Sequence, residues 1–314
     1  MVVVSLMSGE NRYENVRKAM EIIEDELKNK IAGKKKIIVK PNFVSDCKQL
    51  AATHVDAVRA VLDFVTKYTD KKIIVAEGSA HNTFTGFKNF GYLGLEKEYN
   101  MEFFDLNSDK NFVEVEVFDS DMKGMKVKIS KTMADSDCRI SVGPMKVHNE
   151  VVATLSLKNA AVGSLLKQRH FPAGRYIGKA LGKMPIAHFK DFKAAIHQGY
   201  RAINRNIFEV GKIVHPHISV IDGFEAMEGE GPVDGNGVKM GLAMAGTDFL
   251  AVDTVAAKLM GFSIDQIGYL HYCKQAKLGE WDLKKIEIAG NTAIEREARK
   301  FRPHPTFEEQ LKWK

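Results

Sequence analysis

The sequence predicts an α/β protein: a mostly parallel or mixed sheet flanked by helices, wound into two interleaved Rossmann-like lobes. Two observations predict it. The apolar runs Ile37-Ile38-Val39 and Ile73-Ile74-Val75 show no polar alternation, which is the pattern of strands covered on both faces. Each run ends in polar residues at a turn, and a helical period separates them, as βαβ winding requires. With 314 residues, 45% of them hydrophobic and 27% charged, the chain can bury a substantial core. A single domain over residues 1–314 is expected, with lobe one at about 1–135 and lobe two at about 136–314.

Composition narrows the function. Lys and Arg number 46 against 40 Asp and Glu, a net charge of +6 that suits acidic ligands. The excess is spread too thinly to announce nucleic acid, and no aromatic ladder accompanies it. The opening stretch MVVVSLMSGENRYENVRK lacks a basic leader followed by a long apolar run, so neither a secretory signal nor a membrane span is indicated. The cytoplasm is the expected compartment. Cys47, Cys138 and Cys273 are widely separated and form no Cys-x-x-Cys pair. No intrinsic iron-sulfur cluster and no disulfide scaffold are expected from them.

In chain order, residues 2–6 form a short β-like run, and residues 11–29 read as one amphipathic helix burying Val16, Ala19, Met20, Ile23 and Leu27. The strand at 37–39 ends in Lys40-Pro41-Asn42. Open α/β sheets gather ligand groups at the carboxyl ends of their strands, so Lys40 and Asn42 are candidate contacts, although Asn42 could simply cap the turn. Thr53 reads as the N-cap of the next helix and His54 as an exposed side chain. The second strand ends in Glu77-Gly78-Ser79, which puts Glu77 on the rim of Lys40 as a counter-ion, a base or a metal ligand. Residues 113–117 and 125–129 alternate about a turn at Lys123-Gly124, as half-exposed antiparallel strands do.

Residues 141–163 organise the chain. A strand-like run ends at Gly143-Pro144 and then delivers Lys146 and His148, which point to one side if the strand geometry persists. Val151, Val152, Leu155, Leu157, Ala160, Ala161 and Val162 read as a buried helix with Lys158 and Asn159 inside it. A buried ammonium must find an anion, lose its proton or reach water along its stem. Lys146, His148, Lys158 and Asn159 together predict a cationic cluster.

Residues 167–205 add His170, Arg175, Lys179, Lys183, His188, Lys190, Lys193, His197, Arg201 and Arg205, with glycines at 174, 178 and 182. They read either as a solvated helical face or as a mobile insertion that could close over an anionic substrate. The strand at 217–221 ends in Asp222-Gly223, where Asp222 is a candidate catalyst or a turn former. In the next loop, Gly229 and Gly231 would let backbone approach a ligand closely. The loop matches neither a P-loop nor an EF-hand. After a strand at 242–245, Asp248 starts a helix as an acid expected to face the same rim, and Asp253 is expected to pair with a buried lysine.

Several of these blocks resemble a known family. Lys40-Pro41-Asn42, Glu77-Gly78, Pro144-Met145-Lys146-Val147-His148, Lys158-Asn159, Asp222-Gly223 through Gly231-Pro232, and Gly246-Thr247-Asp248 through Asp253 occur in the order found in the domain-of-unknown-function family numbered 362 (DUF362). The resemblance covers most of residues 36–262. It tips Lys40 toward ligand binding and favours His197, because relatives often place a histidine in that region. Many relatives carry cysteine-rich ferredoxin-like modules, which implies redox company, and this chain departs from that pattern. Two functions stay open. One is an enzyme acting on a small carboxylated or phosphorylated anion, with Lys40, Lys146 and Lys158 neutralising charge and His148 shuttling a proton. Asp222 or Glu77 would orient it or hold a divalent metal. The other is a non-catalytic accessory protein that binds an anionic cofactor or docks to an iron-sulfur partner. The cofactor and the oligomeric state are left open.

Overall fold

Ile37, Ile38 and Val39 are all buried, yet they enter two different cores. Ile37 and Val39 pack with the residues beneath one helical layer, and Ile38 packs with those beneath the other. The same alternation separates Ala243 and Ala245 from Leu242 and Met244. Strand side chains point to opposite faces with a period of two, so a run that is apolar throughout needs a cover on each side. The computed structural model describes residues 1–170 and 188–314 and supplies both covers.

The strands are β1 (Val2–Ser8), β2 (Ile37–Lys40), β3 (Ile73–Glu77), β4 (Met101–Asp105), β5 (Phe112–Phe118), β6 (Gly124–Ser130), β7 (Cys138–His148), β8 (Val152–Thr154), β9 (Lys167–His170), β10 (His188–Asp191), β11 (Ile218–Glu228), β12 (Asn236–Gly246) and β13 (Ile286–Gly290). The helices that matter here are α1 (Arg12–Ile22), α2 (Glu24–Ile31), α3 (Val55–Val65), α4 (Thr83–Asn89), α5 (Lys131–Ala134), α6 (Ser156–Ser164), α7 (Phe192–Ala195), α8 (Tyr200–Val214), α9 (Phe249–Leu259) and α10 (Gly268–Gln275). Among the described residues, nine strands form one sheet in the order β13-β1-β12-β11-β7-β2-β3-β4, with β8 attached to β7. Five of its pairings are parallel, so the sheet is mostly parallel and flanked by helices. β5 and β6 form a separate antiparallel pair, as their alternation predicts.

β7 is the axis. All 11 of its residues are buried, and it pairs with β2 on one side and β11 on the other. β12 runs antiparallel to β11, so Gly246 at its end lies opposite Ser219 at the start of β11. The reversal sends the residues after Gly246 to the other rim of the sheet.

Three local expectations are corrected. The helix expected over 11–29 is two helices that break at Ile23, whose ψ of 31° departs from the helical value. Residues 151–155 are not helical: Val152–Thr154 folds back on Lys146–His148 as a hairpin. A turn at Asn149-Glu150 followed by two β-branched valines favours that hairpin over a helix. Thr53 does not cap α3, because its hydroxyl donates to Val142 O (2.8 Å) and accepts from Asn42 N (2.8 Å). His54 is the N-cap instead, with its ring accepting from Asp56 N.

Candidate functional site

The carboxyl ends of β2, β3 and β7 converge beneath α6, and they do so through hydrogen bonds between buried polar side chains. Lys40 Nζ donates to Glu77 Oε2 (2.6 Å), Asn159 Oδ1 (2.8 Å) and Pro41 O (3.0 Å). Asn159 Oδ1 also accepts from Asn42 Nδ2 (3.2 Å), and Asn42 Oδ1 accepts from Lys146 Nζ (2.6 Å). Asn159 Nδ2 returns to Lys40 O (3.2 Å) and Ser141 Oγ (3.0 Å). Lys146, Asn42, Asn159, Lys40 and Glu77 are therefore one continuous network, with Lys40 1% and Lys146 0% exposed. Burial pushes the Lys40 ammonium down and the Glu77 carboxyl up, and their contact opposes both shifts. Lys146 is driven well below the usual lysine value by burial and by the neighbouring charge of Lys158.

Two glycines make this packing feasible. A Cβ on Gly163 would stand 2.1 Å from Lys40 Cε, and a Cβ on Gly78 would stand 2.3 Å from Gly163 O. Only a bare backbone lets α6 lie this close to the ends of β2 and β3.

In front of the network is a cavity of about 340 Å³ lined by Asn42, Glu77, His148, Glu150, Lys158, Asn159, Lys193 and His197, together with Phe43, Val44 and Pro232. Lys158 is 6% exposed and has no hydrogen-bond or ion-pair partner among the described residues. Burial lowers its pKa to about 8, with Glu150 partly opposing the fall. The His148 ring accepts a hydrogen bond from Glu150 N at Nδ1 (3.1 Å), so its neutral form carries the proton on Nε2. Burial, followed by the Lys158 charge, holds His148 well below the usual histidine value. It is a neutral N–H donor at physiological pH. His197 is held at Nδ1 by Lys193 O (2.5 Å), and its Nε2 lies 3.3 Å from Glu150 Oε2 without hydrogen-bond alignment.

α6 is clamped at both ends. Asp253, in α9, accepts from Ser156 N (2.9 Å), Ser156 Oγ (2.6 Å) and Leu157 N (3.0 Å), and burial raises its pKa to about 6. Lys193 Nζ donates to Val162 O (3.1 Å), Gly163 O (3.4 Å) and Leu165 O, and burial lowers its pKa to about 7. An acid at the amino end and a cation at the carboxyl end match the helix dipole. The expected pairing of Asp253 with a buried lysine is thus replaced by helix capping.

The structure brings Asn42, Glu77, His148, Lys158, Asn159 and His197 to the cavity and sets Lys40 and Lys146 immediately behind its wall. It leaves four other candidates out. Asp222 lies within β11, where its regular pairing with β7 breaks off toward the same rim, but it turns to α1 and pairs with Arg12 Nε (3.0 Å). Asp248 lies at the opposite rim because β12 is antiparallel, and its carboxylate accepts from Leu250 N, Ala251 N and Glu280 N. Gly229 packs against Arg302 and Gly231 against Val147 O, so their bare backbones admit protein neighbours where ligand was expected. The loop reaches the cavity through Pro232 and Val233. Of the cationic stretch, Arg175, Lys179 and Lys183 and the three glycines lie outside the described residues. Sequence reasoning missed the clamp role of Lys193, the capping by Asp253 and the place of Glu150. A helix opening Ser-Leu-Lys without an acid of its own was the one available sign of the missing cap.

No three His, Cys, Asp or Glu side chains converge as a metal site among the described residues. Nor is any helix among them long and apolar enough to cross a membrane.

Comparison with known proteins adds three findings. Residues 37–258 match the family described as Domain of unknown function (DUF362). A thylakoid-associated protein of Synechocystis sp. is 23% identical over 233 residues, which is 72% of this chain and 63% of that protein. The chain therefore spans less than two thirds of that relative's length. The lactate racemase apoprotein structure from Thermoanaerobacterium thermosaccharolyticum is similar over 77% of this chain and 53% of that one, with 16% identity and a TM-score of 0.42.

Proposed function

The chain belongs to the DUF362 family, and from that premise we propose that it is an enzyme whose cavity binds a small carboxylated or phosphorylated anion at Lys158 and moves a proton on it. The observation that carries this reading is Lys158 itself. A buried ammonium beside an open cavity, with no carboxylate in ion-pair contact among the described residues and only the Glu150 charge offsetting it in part, is costly unless a ligand supplies the charge. Lys40 is unavailable for that role because Glu77 already neutralises it.

The roles follow from the geometry. The protonated form of Lys158 holds the anion, and His148 Nε2–H donates to one of its oxygens, which polarises the bound group. With a pKa of about 8, the Lys158 ammonium that binds the anion can also give it a proton and take one back, so it is the acid of the step. The proton-shuttling role expected of His148 passes to Lys158, because Nδ1 is occupied and Nε2 already carries its proton. Asn42 and Asn159, fixed by Lys146 and Lys40, form a further part of the wall.

Isothermal calorimetry with small carboxylates and phosphate esters tests the binding step, and NMR in D₂O tests the proton transfer. The expected result is binding by the native chain, its loss in Lys158→Met with the fold retained, and deuterium entering the bound anion. Equal affinity in Lys158→Met would remove the reading. Binding without any exchange or turnover would favour the accessory, non-catalytic alternative.

A further inference from the structure

Beside the Lys158 cavity, and sharing Ala80 with it, lies a second concavity of about 790 Å³. Ala80 is the one apolar residue among its described lining residues; the rest carry hydrogen-bonding side chains. Its wall includes Thr83, Asp105, Asn107 and Ser108. The Asp105 carboxylate accepts from Thr83 Oγ1 (2.8 Å), Asn107 N (3.0 Å) and Ser108 Oγ (2.9 Å), so these side chains are held in place before any ligand arrives.

Asn107 is the informative residue. It is 5% exposed, and its amide nitrogen is assigned by the acceptors that it meets, Ser79 O (2.9 Å) and Thr83 Oγ1 (3.3 Å). Its Oδ1 is therefore a buried acceptor, and it has no hydrogen-bond partner among the described residues. Folded proteins seldom leave such an atom unpaired without a reason. A Cβ built on Gly78, a lining residue of the first cavity, would stand 3.3 Å from Asn107 Oδ1 and 3.0 Å from Lys193 Nζ. The unpaired oxygen thus lies where the two spaces adjoin.

The two spaces differ in charge. The first presents Lys158 to an anion, whereas the second sets Asp46, Asp105 and Asp109 against Lys110 and Lys167, a mixed lining that favours neither a second anion nor a cation. Apolar tails have nothing there to pack against. A chain of hydroxyls satisfies both conditions, since each hydroxyl donates to a carboxylate or amide oxygen and accepts from a serine or threonine. Resting on the anion reading above, we infer that the substrate is a hydroxylated anion of the sugar-acid or sugar-phosphate class. Its charged head lies at Lys158, its hydroxylated tail lies in the second concavity, and one hydroxyl donates to Asn107 Oδ1.

Calorimetry on the full chain with gluconate, hexanoate and 6-aminohexanoate tests the inference. These three carboxylates share a six-carbon chain and differ only in the groups borne beyond the carboxylate head. Gluconate is expected to bind at least about tenfold more tightly than hexanoate, because a site built to hold hydroxyls rejects a ligand that lacks them. Asn107→Leu should abolish that advantage while changing hexanoate affinity less than about twofold. Ser108→Ala, at an exposed position where folding is not at stake, should reduce the advantage in part. Equal binding of gluconate and hexanoate would overturn the inference and leave the anion reading standing, as would binding of acetate or inorganic phosphate with none of the three. Preference for 6-aminohexanoate would overturn it in favour of a cationic tail. A loss shared equally by both ligands in Asn107→Leu, with Ser108→Ala silent, would reduce Asn107 to a structural residue. Failure of all these anions to bind would remove both readings.

Discussion

Replacing Gly163 with alanine sets two effects against each other. In an ordinary helix the change is favourable by up to about 1 kcal/mol, because alanine loses less backbone freedom on folding. Here the new Cβ would stand 2.1 Å from Lys40 Cε and 2.2 Å from Lys40 Nζ. Lys40 has nowhere to go: it is 1% exposed, and Glu77, Asn159 and the Pro41 carbonyl hold its ammonium. Displacing it leaves Glu77, itself 2% exposed, as a buried carboxylate without its ion-pair partner. Breaking a buried pair from one side costs roughly 3–5 kcal/mol, so the net expectation is a loss of roughly 2–4 kcal/mol. Urea unfolding would read this as a lower midpoint at unchanged slope. In a Lys40→Ala/Glu77→Gln background the obstruction is gone, and Gly163→Ala should become neutral or stabilising. Unchanged or raised stability of Gly163→Ala in the native background would refute the argument that Lys40 is pinned against α6.

Three further outcomes follow from the same geometry. Lys158→Met should raise the stability of the ligand-free protein by about 1–3 kcal/mol at pH 7, read by thermal melting, because it removes a buried charge that Glu150 offsets only in part. The folded-state pKa of Lys158, about 8, lies below the ordinary lysine value of 10.5, so its burial penalty is felt below about pH 8 and vanishes above 10.5; the gain from Lys158→Met should therefore disappear at about pH 11. Anion affinity should be full below about pH 8 and fall above it, whereas Lys158→Arg should hold its affinity past about pH 9, and a flat profile for the native chain would count against Lys158 as the anchor. Asp253→Ala leaves Ser156 N, Ser156 Oγ and Leu157 N without their acceptor and should cost about 2–4 kcal/mol in chemical denaturation; a smaller loss would mean that water replaces the carboxylate.

How much of this was legible depended on what kind of question each residue posed. The strands ending at Lys40 and Glu77 could be read because an unbroken apolar run bounded by turns has few other folded forms. Which rim a strand end occupies is a different matter. Asp248 was expected beside Lys40, but an apolar run carries no direction, and the reversal of β12 sends Asp248 to the far edge. Asp222 shows the next limit: it reaches the right rim and the wrong face, since a strand has two faces and only the packing of α1 decides which one Arg12 covers. Lys146 and His148 were read as partners from their spacing of two. The hairpin that buries Lys146 behind Asn42 depends on a short turn, whose signal at Asn149-Glu150 is weak beside the apolar residues after it. Asn107 lay beyond reach altogether, because an unpaired amide oxygen is a property of the assembled fold.

The clamp on α6 explains why the buried lysines do not compete for one ligand. Lys40, Lys146, Lys158 and Lys193 are all buried near the same helix, and four ammonium groups so close would repel one another in a medium of low polarity. Three of them are committed. Lys40 faces Glu77, Lys146 donates to Asn42 Oδ1 and Ala51 O, and Lys193 donates to the carbonyls that end α6. Each commitment also fixes a wall of the cavity: Lys40 and Lys146 hold the two asparagines, and Lys193 holds the end of the helix that carries Lys158. The rigidity that would orient a substrate and the charge that would attract it are thus divided among different lysines. Asp222→Asn tests that division from outside. It breaks the pair with Arg12 at the same rim, yet touches none of the four lysines, so it should lower stability and leave anion affinity within about twofold. A tenfold loss of affinity in Asp222→Asn would mean that the rim acts as one electrostatic unit, and the separation of roles argued for Lys158 would not hold.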